Sequence, residues 1–148
     1  MEPAEGAGPA TSRGRGSVLV CDDTESIRRL LRINLELDGF EVHEASDGAS
    51  ALALLDQLRT AQLLPRVIVL DAQMAPRDGW WALEQIRACP KLNPIPVLMA
   101  TAAPACEDKE RMRAAGLDAC VRKPFDPDEV LVLIEGFAAD GRDHQSLP

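Results

Sequence analysis

No apolar run in this 148-residue chain approaches the roughly 18 residues that a membrane-spanning helix needs. The N-terminus also lacks the apolar stretch of a signal peptide. Both absences lead us to expect a cytoplasmic protein with no membrane partner. Basic charge is scarce too: 16 Lys and Arg face 24 Asp and Glu, a net charge of −8. Nucleic-acid binders present a basic face, so this balance argues against that class. The four cysteines (Cys21, Cys89, Cys106, Cys120) form no Cys-x-x-Cys pair, and His43 and His144 fit no ligand pattern. A zinc site or a disulfide framework is therefore not expected. Cys21 and Cys120 lie in apolar runs, where a thiol serves as a small hydrophobe. Tyrosine is missing altogether.

What the chain does have is a series of short apolar runs, each ending on a polar residue. Val18–Cys21 leads into Asp22-Asp23, and Val67–Leu70 into Asp71. Val97–Ala100 leads into Thr101, and Ala119–Arg122 into Lys123-Pro124. Runs of about four to eight apolar residues, separated by helical patterns, read as buried parallel strands.

Helical segments fill the gaps. One is expected from about Thr24 to Asp38, with Ile27, Leu30, Leu31 and Leu35 inward and Gly39 closing it. After a strand near Glu41–Ala45, a second runs from about Gly48 to Arg59, burying Ala51, Leu52, Leu55 and Leu58. A third spans about Trp80–Ala88, with Trp80, Leu83 and Ile86 inward, and Pro90, Pro94 and Pro96 make an irregular link after it. A fourth is expected over about Cys106–Ala115. Asp126-Pro127-Asp128-Glu129 starts the fifth, which reaches about Phe137. Five β-α units imply an α/β fold: a doubly wound, five-stranded parallel sheet of the flavodoxin-like (βα)5 kind. Residues 1–16, rich in Gly, Ala and Pro, read as a disordered leader. Residues 17–138 make one domain, and 139–148 a short polar tail.

Ligands of open α/β sheets bind at the carboxyl ends of the strands. The chain sends Asp22, Asp23, Asp71, Thr101 and Lys123 to that edge. Carboxylates with waters and phosphate oxygens suit Mg²⁺, and an ammonium and a hydroxyl suit phosphoryl oxygens. A carboxylate can also be the nucleophile of phosphoryl transfer, forming an acyl phosphate. Asp71, alone at the end of the central strand, is the candidate acceptor.

These residues carry a family resemblance. Asp22-Asp23, Asp71 with Met74 and Asp78-Gly79, Thr101-Ala102 and Lys123-Pro124-Phe125 make residues 17–138 resemble the receiver domain of two-component response regulators. The resemblance implies Mg²⁺ on Asp22, Asp23, Asp71 and the main-chain carbonyl of Gln73. It implies a phosphoryl group passed to Asp71 from a histidine kinase or phosphotransfer protein and contacted by Thr101 and Lys123. It also implies a cis bond before Pro124. Two positions depart from the family pattern. Pro76 falls one residue late after Met74, and Cys120 stands where the family has a switch aromatic three residues before the Lys. We therefore expect a weaker or differently routed response at the switch positions Thr101 and Cys120.

The expected function is that of a single-domain response regulator, signalling by phosphorylation-dependent protein binding or phosphorelay, as a monomer or weak homodimer. It would not turn over a diffusible substrate. One alternative is a receiver-like interaction module that never takes phosphate. Another is an aspartyl-phosphate phosphohydrolase, although Gln73 stands where such enzymes usually have a second Asp. Trp81, about 100° round the third helix from its inward face, and Ile33 and Leu37 on the first are candidates for a partner surface.

Overall fold

A computed structural model describes residues 14–102 and 108–143. Its strands are β1 (Ser17–Cys21), β2 (Glu41–Ala45), β3 (Val67–Asp71), β4 (Val97–Thr101) and β5 (Ala119–Arg122). Its helices are α1 (Glu25–Leu37), α2 (Gly48–Thr60), α3 (Gly79–Ala88), α4 (Lys109–Ala114) and α5 (Pro127–Asp140), with a 3₁₀ turn at Gly141–Asp143. All neighbouring strands pair in parallel, in the order β2-β1-β3-β4-β5. The expected doubly wound architecture is present.

The apolar strands alternate between two cores. Val18, Val20, Val67, Val69, Leu98 and Ala100 face Leu31 and Leu35 of α1 and Val130, Ile134 and Phe137 of α5. Leu19, Ile68, Leu70, Val97 and Met99 face Ala51 and Leu55 of α2, Leu83 and Ile86 of α3, and Met112 of α4. Each fully buried Leu or Ile stabilises the fold by about 1.5–3 kcal/mol. Because both faces are covered, these strands show no polar alternation in the sequence.

The helix starts follow local chemistry. Asp47, Asp78, Asp108 and Asp126 each accept a hydrogen bond from a backbone N–H in the first turn of the helix that follows.

Several inward faces differ from the sequence reading. Leu30 is exposed, because the α1 stripe that meets the sheet is the narrower Leu31–Leu35 line with Ile27 half-buried. Leu52 is half-buried on α2. On α3 the buried set is Gly79, Ala82, Leu83 and Ile86, and Trp80 is only half-buried. The small Ala82 lets α3 sit close to its neighbours, which turns the larger indole toward the rim. Helix α5 runs about a turn past Phe137, since Ala138-Ala139-Asp140 continue it until Gly141 takes a positive φ. Of the expected fourth helix, Cys106 and residue 107 lie outside the described residues.

At the other end, Arg15 pairs with Asp38 and Glu135 and lies over the Phe40 ring. Residues 1–13 of the expected leader and 144–148 of the expected tail, His144 included, lie outside the described residues. His43, on edge strand β2, is half-buried, and burial lowers its pKa from the usual value.

Candidate functional site

Strand pairing places the polar residues together. The registers Cys21↔Leu70, Asp71↔Ala100 and Thr101↔Arg122 align the C-terminal ends of β1, β3, β4 and β5. Asp22 follows β1, Asp71 ends β3, Thr101 ends β4 and Lys123 follows β5. Asp22, Asp71 and Thr101 are 3 %, 6 % and 1 % exposed, whereas Asp23 is open to solvent.

Ligand oxygens of Asp22, Asp23 and Asp71 lie within 4.8 Å of one another. Lys123 Nζ is 2.9 Å from Asp22 Oδ2 and 3.3 Å from Asp71 Oδ1. Three carboxylates and one ammonium leave a formal surplus of two negative charges. Burial and the charge of Asp22 push the Asp71 carboxyl up, against the Gln73 N–H and Lys123. Burial lowers Lys123, but Asp22 and then Asp71 outweigh it and hold the ammonium above its usual value. Crowded, partly desolvated carboxylates with surplus charge fit a hard divalent cation. The Gln73 amide donates to Asp71 Oδ1 at 3.3 Å, so its main chain runs beside the acceptor carboxylate.

The loop after β3 is tied down tightly. Gly79 N–H donates to the Ala72 carbonyl at 3.1 Å, and a Cβ on Gly79 would collide with the Asp71 carbonyl oxygen. Gly48 N–H donates to the Arg77 carbonyl at 2.8 Å, clamping the loop from α2. The bonds Lys123–Pro124 and Ala75–Pro76 are both cis. The first is the one the resemblance implies; the second precedes the proline that falls one residue late. Met74 is buried against Cys21, whose thiol donates to the Asp47 carbonyl at 3.1 Å. Burial, then Asp47 and the site carboxylates, push that thiol up to about 12, so Cys21 is inert.

The switch positions Thr101 and Cys120 lie on neighbouring strands, and the Thr101 carbonyl accepts the Lys123 N–H at 3.0 Å. Cys120 is half-buried beside the core of α2, α3 and α4. It is disulfide-bonded, whereas Cys21 and Cys89 are free. This corrects the reading of Cys120 as a simple hydrophobe: folding decides which thiols meet, and residue spacing does not encode it.

The candidate partner residues fall on two separate surfaces. Ile33 and Leu37 are exposed on α1, on one side of the sheet. Trp81 is half-buried on α3, on the other side, with the Arg77 guanidinium 5.0 Å from its ring centre.

Sequence reasoning did not single out Arg28 and Glu44. Arg28 Nη1 donates to the Asp22 carbonyl at 2.6 Å, and its Nε donates to Glu44 Oε1 at 3.0 Å. An arginine beside the half-buried Ile27 was the available signal, but its partner on β2 emerges only once α1 lies against the sheet.

Residues 18–135 match the response regulator receiver domain family. The DNA-binding dual master transcriptional regulator RpaA of Synechocystis is 36 % identical over 120 residues, which are 81 % of this chain and 48 % of that protein. An uncharacterized 14.6 kDa protein of Leptolyngbya boryana is 32 % identical over 120 residues, 81 % of this chain and 88 % of that one. The chemotaxis response regulator CheY4 of Vibrio cholerae superimposes with a TM-score of 0.70 at 30 % identity, covering 81 % of this chain and 96 % of that one. The chain thus spans about half the length of RpaA and nearly all of the CheY4 chain. A family match over most of the sequence and a shared fold, with the acidic cluster at the sheet's carboxyl edge, lead to one conclusion: the chain belongs to the response regulator receiver domains.

Proposed function

We propose that Asp71 accepts a phosphoryl group from a phosphohistidine on a histidine kinase or phosphotransfer protein, with Mg²⁺ held by Asp22, Asp23, Asp71 and the Gln73 carbonyl. The observation that carries this reading is the set of three carboxylates within 4.8 Å beside the Lys123 ammonium. An Asp71 carboxylate oxygen forms the new bond to phosphorus as the phosphorus–nitrogen bond breaks. The electron pair of that bond stays on the imidazole nitrogen, and an acyl phosphate remains on Asp71. When bound, the cation supplies positive charge to the phosphoryl oxygens. Lys123 turns from the carboxylates to one phosphoryl oxygen, and the Thr101 hydroxyl donates to another. Water later removes the phosphoryl group, so the protein catalyses its own turnover and is not an enzyme for a diffusible substrate.

The output we propose is phosphorylation-dependent protein binding or onward relay, by a single-domain protein in the cytoplasm. The net charge of −8 favours a protein target over nucleic acid, in contrast to RpaA, a DNA-binding regulator. No helix among the described residues is long and apolar enough to cross a membrane. The response is limited by how differently the two conformations bind phosphate and partner.

Intact mass after incubation with acetyl phosphate and Mg²⁺ tests the reading. We expect a single phosphoryl adduct that requires Mg²⁺ and is absent in Asp71→Asn. A folded wild-type protein without an adduct would make the chain a phosphorylation-independent docking module.

A further inference from the structure

We infer that Arg28, anchored by Glu44, is a positioning residue for the cation site: it fixes the main chain of Asp22 and thereby the aim of the Asp22-Asp23 carboxylates. This rests on the cation-binding reading of the site proposed above.

Asp22 is held at every hydrogen-bonding group. Its N–H donates to the Ala45 carbonyl at 3.1 Å, extending the β1–β2 ladder by one residue. Its carbonyl accepts Arg28 Nη1 at 2.6 Å. Oδ1 accepts the Thr24 N–H at 2.9 Å, and Oδ2 accepts Lys123 Nζ at 2.9 Å. Of these, Lys123 must change partner when a cation or a phosphoryl group arrives. The Arg28 bond to the carbonyl uses no atom that a metal would need.

Arg28 is itself braced. Its Nε donates to Glu44 Oε1 at 3.0 Å, and the two side chains are 17 % and 27 % exposed. The other Glu44 oxygen takes Arg32, whose Nε donates to Glu36 at 3.0 Å. Burial raises the Glu44 carboxyl, but the hydrogen bonds from Arg32 and Arg28 outweigh it and keep it ionised. A relay thus runs from the exposed face of α1 through edge strand β2 to the Asp22 backbone. A planar guanidinium holds donors in two fixed directions and so sets the carbonyl and the carboxylate in one geometry, whereas a lysine's donors share a single freely rotating nitrogen.

Charge and geometry make opposite predictions here. Arg28 is a cation beside a cation site, so electrostatics alone says that removing it tightens Mg²⁺ binding. Positioning says that removal loosens it, and losing the support behind a metal ligand typically weakens affinity about 10- to 100-fold.

The test is calorimetric titration of MgCl₂ into wild type, Arg28→Gln, Arg28→Lys and the charge-preserving double variant Arg28→Gln/Glu44→Gln, with apo melting curves for each. We expect Kd to rise about tenfold in Arg28→Gln and equally in the double variant, with Arg28→Lys in between. Unchanged or tighter binding in the folded single variants, or wild-type affinity in the double variant, would overturn the inference. A lower apo Tm with an unchanged Kd would mark Arg28 as merely structural and overturn it too. Should Arg28→Gln fail to fold, Arg28→Lys decides. Failure of wild type to bind Mg²⁺ would instead overturn the cation reading itself.

Discussion

Lys123 Nζ bridges Asp22 Oδ2 at 2.9 Å and Asp71 Oδ1 at 3.3 Å, so one ammonium serves both the proposed metal ligand and the proposed phosphoacceptor. The site carries its own lysine as a counter-ion to the two carboxylates. That makes Lys123 and a metal competitors for the same carboxylate charge, although phosphoryl transfer needs both.

Lys123→Gln should therefore destabilise the metal-free fold, by roughly 1–3 kcal/mol, because Asp22 and Asp71 are left buried with less compensation. The same change should tighten Mg²⁺ binding several-fold, and saturating Mg²⁺ should recover most of the lost Tm. Phosphorylation by acetyl phosphate should fall despite the tighter binding. Weaker Mg²⁺ binding in this variant would mean that Lys123 organises the site and does not compete for it.

Asp71→Asn should stabilise the metal-free protein at neutral pH. Burial and Asp22 raise the Asp71 carboxyl in the folded state above its usual 3.8, so the ionised form costs folding free energy. That cost is fully present above the raised folded value and is relieved as pH falls through it toward 3.8. The mutant's advantage should be constant at neutral pH and disappear in acid. Melting curves in EDTA across pH check this. An advantage that grows toward low pH would contradict the direction of the shift.

The strands and the site edge were readable because each apolar run is short, continuous and followed by a polar residue, as at Leu70-Asp71 and Ala100-Thr101. A helix start was readable where an acidic cap precedes Pro, at Asp126-Pro127, whereas the cap at Asp78 lies in a stretch whose Asp-Gly content reads as loop. Which side chains face inward was less readable. Trp80 and Leu30 fit the 3.6-residue period but stay at the rim, while Ala82 and the expected Leu31 are buried, because helix rotation is set by packing partners that periodicity does not name. The Arg28–Glu44 support joins residues on different elements, 16 apart in sequence, and no local pattern announces it.

Gly79→Ala should be costly although Gly79 opens a helix, where alanine is normally favourable. The added Cβ would meet the Asp71 carbonyl oxygen, and that backbone belongs to the acceptor strand. We expect a loss of roughly 1–3 kcal/mol in denaturant unfolding. Because relief requires the loop after β3 to shift, Mg²⁺ affinity should fall as well. A destabilised variant with wild-type Mg²⁺ affinity would show that α3 moves instead and leaves the site intact.

Asp118 gives the complementary case, in which stability and site separate. It precedes β5, at the sheet edge opposite the carboxylates, and its side chain is 8 % exposed. Oδ2 accepts Arg87 Nη2 at 2.8 Å and the Val97 N–H at 2.9 Å, and Oδ1 accepts Arg142 Nε at 2.9 Å. Arg87 also donates to the carbonyls of Gly116, Asn93 and Ile95, each at 2.8 Å, so one carboxylate ties α3, the starts of β4 and β5, and the turn after α5 together. Burial, with Arg142 nearby, pushes the Arg87 guanidinium down to about 10, and Asp118 opposes that shift. Asp118→Ala strands this buried cation and orphans the Val97 amide, at a cost of about 3–5 kcal/mol. Asp118→Asn keeps the acceptor for Val97 and should lose less. Both variants, where folded, should bind Mg²⁺ like wild type, since strand ends on opposite edges of the sheet share no ligand. A change in Mg²⁺ affinity accompanying the stability loss would show that the two edges are energetically coupled through the strands.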